Sequence, residues 1–471
     1  MDNLILKTKE NVEFTYNERQ ISIKALHANF QIKDVSDTVF NQFQLINNDG
    51  GKEDDLIENI LENDPSELST FLYYLENMKR FGIINRSIIQ KGSTIASLIS
   101  SSTLFKFKSD FYDPNKKYIL SRFILTRRKG NTTFIESPLG FGCIEINNPN
   151  LLSLTYSLTS PKTFDELNEL ELQFDETSLK EYLNFLCNIE GLSLVDESEE
   201  SAEDMDENLL QWEFHNLLFH SRSRMGRHNN PSGASFPFLG KIEPTPAIKT
   251  IDCSDKEVID LYKPDIEALK LNDVPFTQVL EGRKSIRRDE SPPINLKQLG
   301  EFLYRTSRVR EFHPINSDQR QYYETTNRPY PNGGSSYELE QYLVINKCDG
   351  LEKGIYYYKP DEHQLVKMSI DENYINAMLS DAWLSAAKIV RPQILITITS
   401  RFQRLNWKYR SMGYSASVKN VGVLYQTMYL VATAMGLSSC ALGNGNGDLL
   451  GKAIDLNYTE ESAIGEFILG S

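Results

Sequence analysis

One long apolar segment limits the folds open to this chain more than any other feature. Residues 417–436, SVKNVGVLYQTMYLVATAMG, have the length of a helix of about twenty residues that ends at Gly436. A helix that is hydrophobic on most of its faces must be buried, often in a subunit interface. A buried strand, QILITIT at residues 393–399, precedes it. The segment therefore predicts a packed domain built around this helix.

The C-terminal half alternates helical and strand patterns from about Asp265 onward. LKQLGEFLYRTS (296–307) has helical periodicity, and LEQYLVINK (339–347) has the pattern of a strand. GIYYYKPDEHQLVKM (354–368) indicates a hairpin with a Pro-Asp-Glu turn. We therefore predict an α+β domain at residues 265–471.

The first half contains a divergent duplication at a constant offset of 111 positions. Phe40 matches Leu151, Phe43 matches Leu154, and the stretches FGIINR and LSLVDE that close the two copies align without a gap. Each copy predicts a strand-rich start, a short helix, a second helix and a strand. In the second copy, Lys129–Asn131 forms the turn of a predicted hairpin. This order suits two tandem winged-helix-like modules.

The modules and the segment after them give four predicted regions. The run DESEESAEDMDE, residues 196–207, is mostly acidic and has no apolar periodicity, so we predict a solvated linker there. The predicted regions are module 1 at 1–95, module 2 at 96–198, the acidic linker with a connecting segment at 199–264, and the α+β domain at 265–471.

Charge argues against a nucleic-acid role for the modules. The formal net charge is −15, which opposes association with polyanions such as DNA or an anionic membrane. Neither second helix carries a stripe of Arg and Lys. A hairpin edge can instead accept a peptide as an added strand. Peptide docking is thus the favoured interpretation, and modules that only form cores are the alternative.

Cysteine and histidine usage predicts no metal site. The five cysteines are widely spaced without a CxxC pair, which indicates free thiols in a reducing cytosol. His215, His220 and His228 match no common metal motif, and we interpret them as packing or loop residues. The N-terminus lacks the order of a signal peptide, and no run reaches the ~18–20 apolar residues of a membrane span. We expect a cytoplasmic protein.

Two motifs suit a flat, charged cofactor. In GRKSIRR, Arg283, Ser285 and Arg287 alternate, and two guanidinium groups around a hydroxyl suit a phosphate or a flavin carbonyl. In RPYPNGGSSYELEQYLV, the glycines after Asn332 let the backbone approach a planar ligand. The alternatives are a solvated basic stretch for the first motif and a plain turn before a strand for the second.

Two further motifs flank the apolar helix. Lys408 lies beside Tyr409, and an ammonium group near a phenol favours the phenolate, so the pair is a candidate for proton abstraction. The alternative is a surface lysine beside a packed tyrosine. The turn SSCALGNGNGD (438–448) can point backbone N–H groups at an acceptor. It lacks the glycine spacing of a Rossmann site.

The order of these four motifs over residues 282–471 resembles the nitroreductase-like FMN fold. More narrowly, it resembles SagB-type dehydrogenases that oxidise azolines, which include the thiazoline oxidases of cyanobactin pathways. FHNLLFHSRSRMGRH (214–228) is similar to a segment of that subfamily, and the N-terminal modules resemble the winged-helix peptide clamps attached to such oxidases. The resemblance implies FMN as cofactor and an interlocked homodimer with FMN at its interface.

The resemblance also assigns roles to individual positions. It implies that Lys408 and Tyr409 form the catalytic pair. We hypothesise that Tyr409 takes a Cα proton while hydride leaves for the flavin, although the sequence leaves open which of the two residues is the base. The implied FMN-binding residues are Arg283, Ser285 and Arg287 for the phosphate and ring oxygens, Pro331, Asn332 and Gly333 for the partner subunit's flavin, and Leu442 and Gly443 for the ring. The turn has Tyr330 and Asn332 around Pro331 where the family pattern is Ser-Pro-Ser, which puts one hydroxyl contact in question.

The implied function is an FMN-dependent azoline oxidase that converts peptide thiazolines or oxazolines to thiazoles or oxazoles, with O₂ as electron acceptor. Its partners would be a precursor peptide whose leader docks on the N-terminal modules, and a cyclodehydratase. An NAD(P)H-dependent nitro- or flavin reductase is one alternative. A non-catalytic flavoprotein scaffold for peptide docking is the other.

Overall fold

A computed structural model describes residues 3–9, 12–17, 19–25, 28–170, 172–289, 292–368 and 370–471. The chain divides into two compact units, residues 1–231 and residues 232–471. Both units mix helices and sheets, so the predicted α+β class is confirmed.

The first unit holds its strands and helices in two runs of the same order. Its strands are β1 (Leu4–Thr8), β2 (Glu13–Asn17), β3 (Gln20–Ala25), β4 (Ala28–Ile32), β5 (Ile84–Gln90), β6 (Ser93–Ser100), β7 (Lys117–Leu120), β8 (Leu125–Lys129), β9 (Thr132–Glu136), β10 (Gly142–Ile146) and β11 (Leu192–Val195). Its helices are α1 (Asp37–Asn48), α2 (Glu53–Asn63), α3 (Leu68–Arg80), α4 (Asn150–Ser157), α5 (Phe164–Asn168), α6 (Glu176–Asn188), α7 (Ala202–Met205) and α8 (Phe214–Arg222).

The predicted duplication is visible in the order of these elements. Strands β2–β4 precede helices α1–α3 and strand β5, and strands β8–β10 precede helices α4–α6 and strand β11. Each copy therefore has three helices where periodicity predicted two. The predicted turn at Lys129–Asn131 is confirmed, because β8 and β9 pair antiparallel across it.

Strand β5 of the first copy and strands β8–β10 of the second lie in one sheet, whose strand order within the described residues is β1-β5-β6-β10-β9-β8, whereas β2–β4 form a sheet of their own. The pairing of β6 with β10 joins the two halves of this sheet. The boundary predicted between residues 95 and 96 falls inside β6 and stays a prediction.

Part of the predicted acidic linker is packed. Residues 197–200 are exposed, but α7 follows at once, with Ser201 as its N-cap and a buried carboxylate at Glu203. That carboxylate accepts a hydrogen bond from the backbone N–H of Arg122 at 3.1 Å and pairs with its guanidinium. A charge pattern alone did not reveal this, because a buried carboxylate with a specific cation looks in sequence like any other acid.

The second unit is a sheet with helices on both faces. Its strands are β12 (Val258–Asp260), β13 (Glu311–His313), β14 (Thr325–Asn327), β15 (Leu339–Ile345), β16 (Gly354–Lys359), β17 (Gln364–Met368), β18 (Ile394–Arg401), β19 (Ser438–Leu442) and β20 (Glu461–Gly470). Its helices are α9 (Ile266–Asn272), α10 (Phe276–Gly282), α11 (Leu296–Ser307), α12 (Glu372–Ser385), α13 (Gln403–Asn406), α14 (Gly413–Ala434) and α15 (Gly447–Ile454). The main sheet runs β12-β17-β16-β15-β18-β20-β19 in the described residues.

Alternation along the central strands builds this three-layer core. Leu343 on β15 belongs to the cluster that includes α11 and α14, whereas its neighbours Tyr342 and Val344 belong to the cluster that includes α12 and α15. Successive side chains of a strand point to opposite faces, so a strand buried on both faces is apolar at nearly every position. The strands, hairpin and helices predicted in this half are confirmed.

Helix α14 packs one side on the sheet and leaves another side open. Leu424 and Met428 are fully buried, whereas Tyr414 and Val418 are 47% and 46% exposed. Gly422 continues the exposed stripe. None of the helices in the described residues combines the length and apolar character that crossing a bilayer requires.

A buried histidine, His363, bridges two elements of the second unit. Its Nδ1 lies 2.8 Å from the hydroxyl of Tyr358, and its Nε2 lies 3.0 Å from the carbonyl oxygen of Tyr262. Burial lowers the pKa of His363 to about 4, with the cations Lys263 and Arg308 acting in the same direction. The imidazole is therefore neutral at pH 7, a tautomer with N–H on Nε2 fitting both partners.

Candidate functional site

Lys408 is the buried centre of the candidate site. It follows α13 and precedes α14, and its side chain is 8% exposed. Its Nζ lies 2.5 Å from the hydroxyl of Tyr323 and 3.3 Å from the carbonyl oxygen of Gly334. The ammonium also lies 4.8 Å from the ring centre of Tyr323 and 5.1 Å from that of Tyr409. Lys408 is therefore not a surface lysine.

Gly334 brings Lys408 and Tyr409 together. Its φ of +63° is a left-handed conformation that glycine adopts without strain. A Cβ at this position would lie 2.2 Å from Lys408 Nζ and 2.6 Å from Tyr409 Oη. Nζ and Oη are thus separated by no more than the sum of these distances. The Asn-Gly-Gly turn and the Lys-Tyr pair, predicted as separate motifs, meet over one glycine.

Asn332 braces the turn from within. Its Nδ2 donates to the carboxylate of Glu338 at 2.9 Å, and its Oδ1 accepts from the backbone N–H of Tyr337 at 2.9 Å. Asn420 on α14 accepts from the N–H of Gly333 at 3.2 Å and donates to the same carboxylate at 2.9 Å. These bonds occupy the Asn332 side chain and the Gly333 N–H.

Pro331, which follows the buried Tyr330, is exposed at one end of the turn, and Gly334 is exposed at the other. Because the polar groups of Asn332 are occupied, Pro331 and the backbone remain as the parts of this turn that can contact a ligand.

The motif around Ser285 meets the end of the sheet through a tyrosine on α14. Ser285 Oγ lies 2.8 Å from the hydroxyl of Tyr429, and that hydroxyl accepts from the N–H of Ala441 at 2.7 Å. Arg283 lies 5.3 Å from the Tyr429 ring centre. Tyr429 therefore joins the Arg-Ser-Arg motif to β19, the strand that carries the predicted ring contact.

The remaining predicted cofactor-binding residues differ in which part of each residue can contact a ligand. Arg287 is exposed. The side chain of Leu442 is buried in the apolar cluster against α12 and α15, so its backbone is the part that can face a ligand. At Gly443 nothing lies within 4 Å of the position of a Cβ, which leaves open space beside the backbone.

Within one chain the predicted residues form two groups. Lys408, Tyr409 and the turn at Pro331–Gly334 lie near Asn420, whereas Arg283, Ser285 and β19 lie near Tyr429. Asn420 and Tyr429 are nine residues apart on α14, or about 13 Å at 1.5 Å per residue.

A segment of the second unit that sequence reasoning missed holds the Lys408 loop. We define the strap as residues 236–247. Phe236 has a φ of +45°, and its N–H donates to the carbonyl of Lys408 at 3.1 Å. Its ring packs edge-on against Tyr322 and Trp407. The strap thus contacts the backbone of the candidate site.

Two arginines and a tryptophan anchor the strap by its carbonyl groups. Arg401 donates to Pro246 at 2.8 Å and to Ala247 at 2.8 Å, and Trp407 donates to Ile242 at 2.7 Å. Arg404 donates to Thr245 at 2.7 Å, to Glu324 at 2.9 Å and to Ser336 at 2.8 Å. Burial lowers the pKa of Arg404 to about 10, which still leaves it charged at pH 7.

Three stretches of the chain match protein-family models. Residues 2–109 match the ThcOx helix turn helix domain, residues 118–229 match the cyanobactin oxidase ThcOx, and residues 280–470 match the nitroreductase family. These matches confirm the resemblance that the motifs indicated. They also confirm that a helix-turn-helix domain precedes a nitroreductase fold. The chain is an oxidoreductase.

The chain is also similar to individual proteins. “Putative nitroreductase MJ1384” of Methanocaldococcus jannaschii is 29% identical over 187 residues, 40% of this chain and 85% of that protein. “Microcin B17-processing protein McbC” of Escherichia coli is 26% identical over 117 residues, 24% of this chain and 42% of that protein. A solved structure of a “putative nitroreductase” from Anabaena variabilis is 14% identical with a TM-score of 0.35, covering 88% of this chain and 90% of that one.

Proposed function

We propose that the protein is an FMN-dependent azoline oxidase that converts thiazolines or oxazolines of a ribosomal peptide to thiazoles or oxazoles. The observation that carries the proposal is that Lys408 Nζ and Tyr409 Oη both lie close to the same face of Gly334. A buried ammonium beside a phenol supplies a base at the place where a ring could lie. Similarity to a cyanobactin oxidase model and to a microcin-processing protein supports the peptide substrate.

The side chains have distinct tasks in this reaction. Tyr409 is partly exposed and takes the acidic Cα proton of the azoline, while Lys408 stabilises the phenolate by its positive charge. Aromatisation of the ring favours loss of the two hydrogens, so the protein chiefly has to position the ring and supply the base.

The residues present fit FMN. Arg283 and Arg287 supply guanidinium groups for a phosphate, Ser285 supplies a hydroxyl, and the open space at Gly443 leaves room beside the backbone. The turn at Pro331–Gly333 would serve the flavin of the partner subunit. Bound FMN would supply the hydride acceptor, with O₂ taking the electrons as peroxide.

Two features of the second unit support a homodimer. The apolar stripe at Tyr414, Val418 and Gly422 is exposed in one chain, which suits burial against a second copy. The two groups of predicted residues lie about 13 Å apart along α14, so one site could draw on both subunits. Mass measurement by light scattering tests this: a single-chain mass would refute it.

The N-terminal unit would dock the leader of the precursor peptide, and a cyclodehydratase would supply the azoline. The helix-turn-helix match and the hairpin edges of this unit support docking. We place the protein in the cytoplasm, where such a peptide is made.

One experiment tests the reaction. The protein as isolated is incubated in air with a peptide that contains a thiazoline, and the peptide is weighed by mass spectrometry. Loss of two hydrogens per ring is expected. An unchanged peptide would refute the proposal.

The second candidate is an NAD(P)H-dependent nitro- or flavin reductase, which the similarity to a nitroreductase favours. The two readings differ in the source of electrons. Fast bleaching of the flavin by NADPH, with no change in the peptide, would establish the reductase.

A further inference from the structure

Tyr323 is a buried tyrosine that no motif indicated. It precedes β14, its side chain is 6% exposed, and its hydroxyl lies 2.5 Å from Lys408 Nζ and 2.6 Å from the carbonyl oxygen of Gly334. Lys408 Nζ itself lies 3.3 Å from that carbonyl oxygen. Three polar groups therefore form a closed triangle directly beside Tyr409.

The bonds of this triangle define what the Tyr323 hydroxyl can do. Its O–H donates to Gly334, and its oxygen accepts from the ammonium of Lys408. Burial raises the pKa of Tyr323, against the opposing effects of Ser336 and the Arg404 guanidinium, and so keeps the phenol protonated. With its proton engaged by a backbone carbonyl, Tyr323 is unsuited to take a proton from a substrate.

Hydrogen-bond partners are what fix the position of a lysine ammonium, because the lysine side chain itself has many rotatable bonds. A lysine has a four-carbon stem and three equivalent donors, and nothing in the stem fixes where the ammonium lies. Tyr323 and Gly334 both hydrogen-bond to this ammonium. They hold it beside Gly334, where Tyr409 Oη also lies.

We infer that Tyr323 is a positioning residue, which holds the ammonium of Lys408 beside the Tyr409 hydroxyl and so sets the rate of proton removal. The inference rests on the proposed function for its catalytic part and on geometry alone for the placement of Lys408. It separates three tasks: Tyr409 takes the proton, Lys408 stabilises the phenolate, and Tyr323 holds Lys408.

Two tyrosines that are adjacent in sequence provide a matched test. Tyr323→Phe removes the hydroxyl and keeps the ring that packs near Trp407. Tyr322→Phe is the control, because the Tyr322 ring also packs on Phe236 while its hydroxyl makes no hydrogen bond within the described part of the chain.

For azoline oxidation we expect Tyr323→Phe to lower kcat by on the order of tenfold to a hundredfold, with KM changed by no more than about twofold. Flavin content should stay at the wild-type level. Tyr322→Phe should keep the wild-type kcat. A role in packing alone predicts equal values for the two variants, because each keeps its ring.

A second measurement does not depend on turnover. Acetic anhydride is added to each intact protein, and acetylation of Lys408 is followed by peptide mass spectrometry. Loss of a hydrogen bond to a charged group should release the amine and raise its labelling rate roughly tenfold in Tyr323→Phe. Tyr322→Phe should label at the wild-type rate.

The pair of measurements separates the two claims. If the wild type leaves azolines unchanged but Lys408 labelling rises in Tyr323→Phe alone, the proposed function fails and the placement by Tyr323 stands. If labelling is unchanged in Tyr323→Phe, the inference is overturned whatever kcat does. A rise in labelling without any fall in kcat of an active enzyme also overturns it.

Discussion

Replacing Gly334 by alanine should block the candidate site with little loss of stability. The new Cβ would lie 2.2 Å from Lys408 Nζ and 2.6 Å from Tyr409 Oη, against an ordinary contact of 3.4 Å or more. Each of these two atoms must therefore retreat by about 1 Å. Both are the far ends of side chains, so they can move without disturbing the core.

The expected losses differ in size between stability and activity. Alanine in the left-handed conformation costs about 1–2 kcal/mol relative to glycine, whose φ here is +63°. A displacement of ~1 Å in catalytic groups can lower the rate about a hundredfold. Gly334→Ala should therefore stay folded and yellow while its kcat for azoline oxidation falls by about two orders of magnitude.

Gly436 provides the control for backbone strain. Its φ is +70°, and nothing lies within 4 Å of the position of a Cβ there. Gly436→Ala should show a similar loss of stability in thermal unfolding with wild-type kcat in the peptide mass assay. Wild-type kcat in Gly334→Ala would refute the role given to the Lys408–Tyr409 arrangement. Equal losses of activity in both variants would show that backbone strain, and not the contacts of the new Cβ with Lys408 and Tyr409, lowers the activity.

Three further perturbations test other parts of the second unit. The pKa of His363 is lowered to about 4 by burial, so its contribution to stability is present above the unfolded pKa of about 6.5 and is lost as pH falls toward 4. The thermal midpoint should fall over that range by less in His363→Gln than in the wild type; parallel curves would contradict this. Tyr429→Phe removes the hydroxyl between Ser285 and β19 and should weaken FMN binding about tenfold in a fluorescence titration of the apoprotein, whereas an unchanged Kd would place the flavin elsewhere. Arg404→Lys loses the fork that reaches three carbonyls and should speed hydrogen exchange in the strap about tenfold, an effect that protection at the wild-type level would exclude.

The architecture of the second unit could be predicted because its signals are local. Strands such as β18 are apolar at nearly every position, and the Pro-Asp-Glu turn marks the hairpin of β16 and β17. Periodicity of this kind depends only on neighbours in sequence. Helix α14 was predicted with its length, although its exposed stripe could not be, since only the packed structure shows which face meets the sheet.

The candidate site was only partly accessible from the sequence. Lys408 and Tyr409 are adjacent, so their pairing could be recognised, but Tyr323 contacts Lys408 across 85 positions. Tyr429 contacts Ser285 across 144 positions. No local signal distinguishes these two among the 23 tyrosines of the chain. Asn332 shows the converse: its position was predicted, and its side chain proves to brace the turn.

The strap has a consequence for how this enzyme could be re-engineered. Its anchors reach carbonyl oxygens of Ile242, Thr245, Pro246 and Ala247, and every amino acid presents the same carbonyl. Exposed side chains of the strap, such as that of Ile242, can therefore be exchanged while its path is kept, as long as Arg401, Arg404 and Trp407 remain. The junction between residues 231 and 232 lies ahead of all these anchors. Under the proposed function, a foreign recognition domain grafted there would leave the second unit with its own strap in place, which makes the junction a site for chimeras designed to accept new leader peptides.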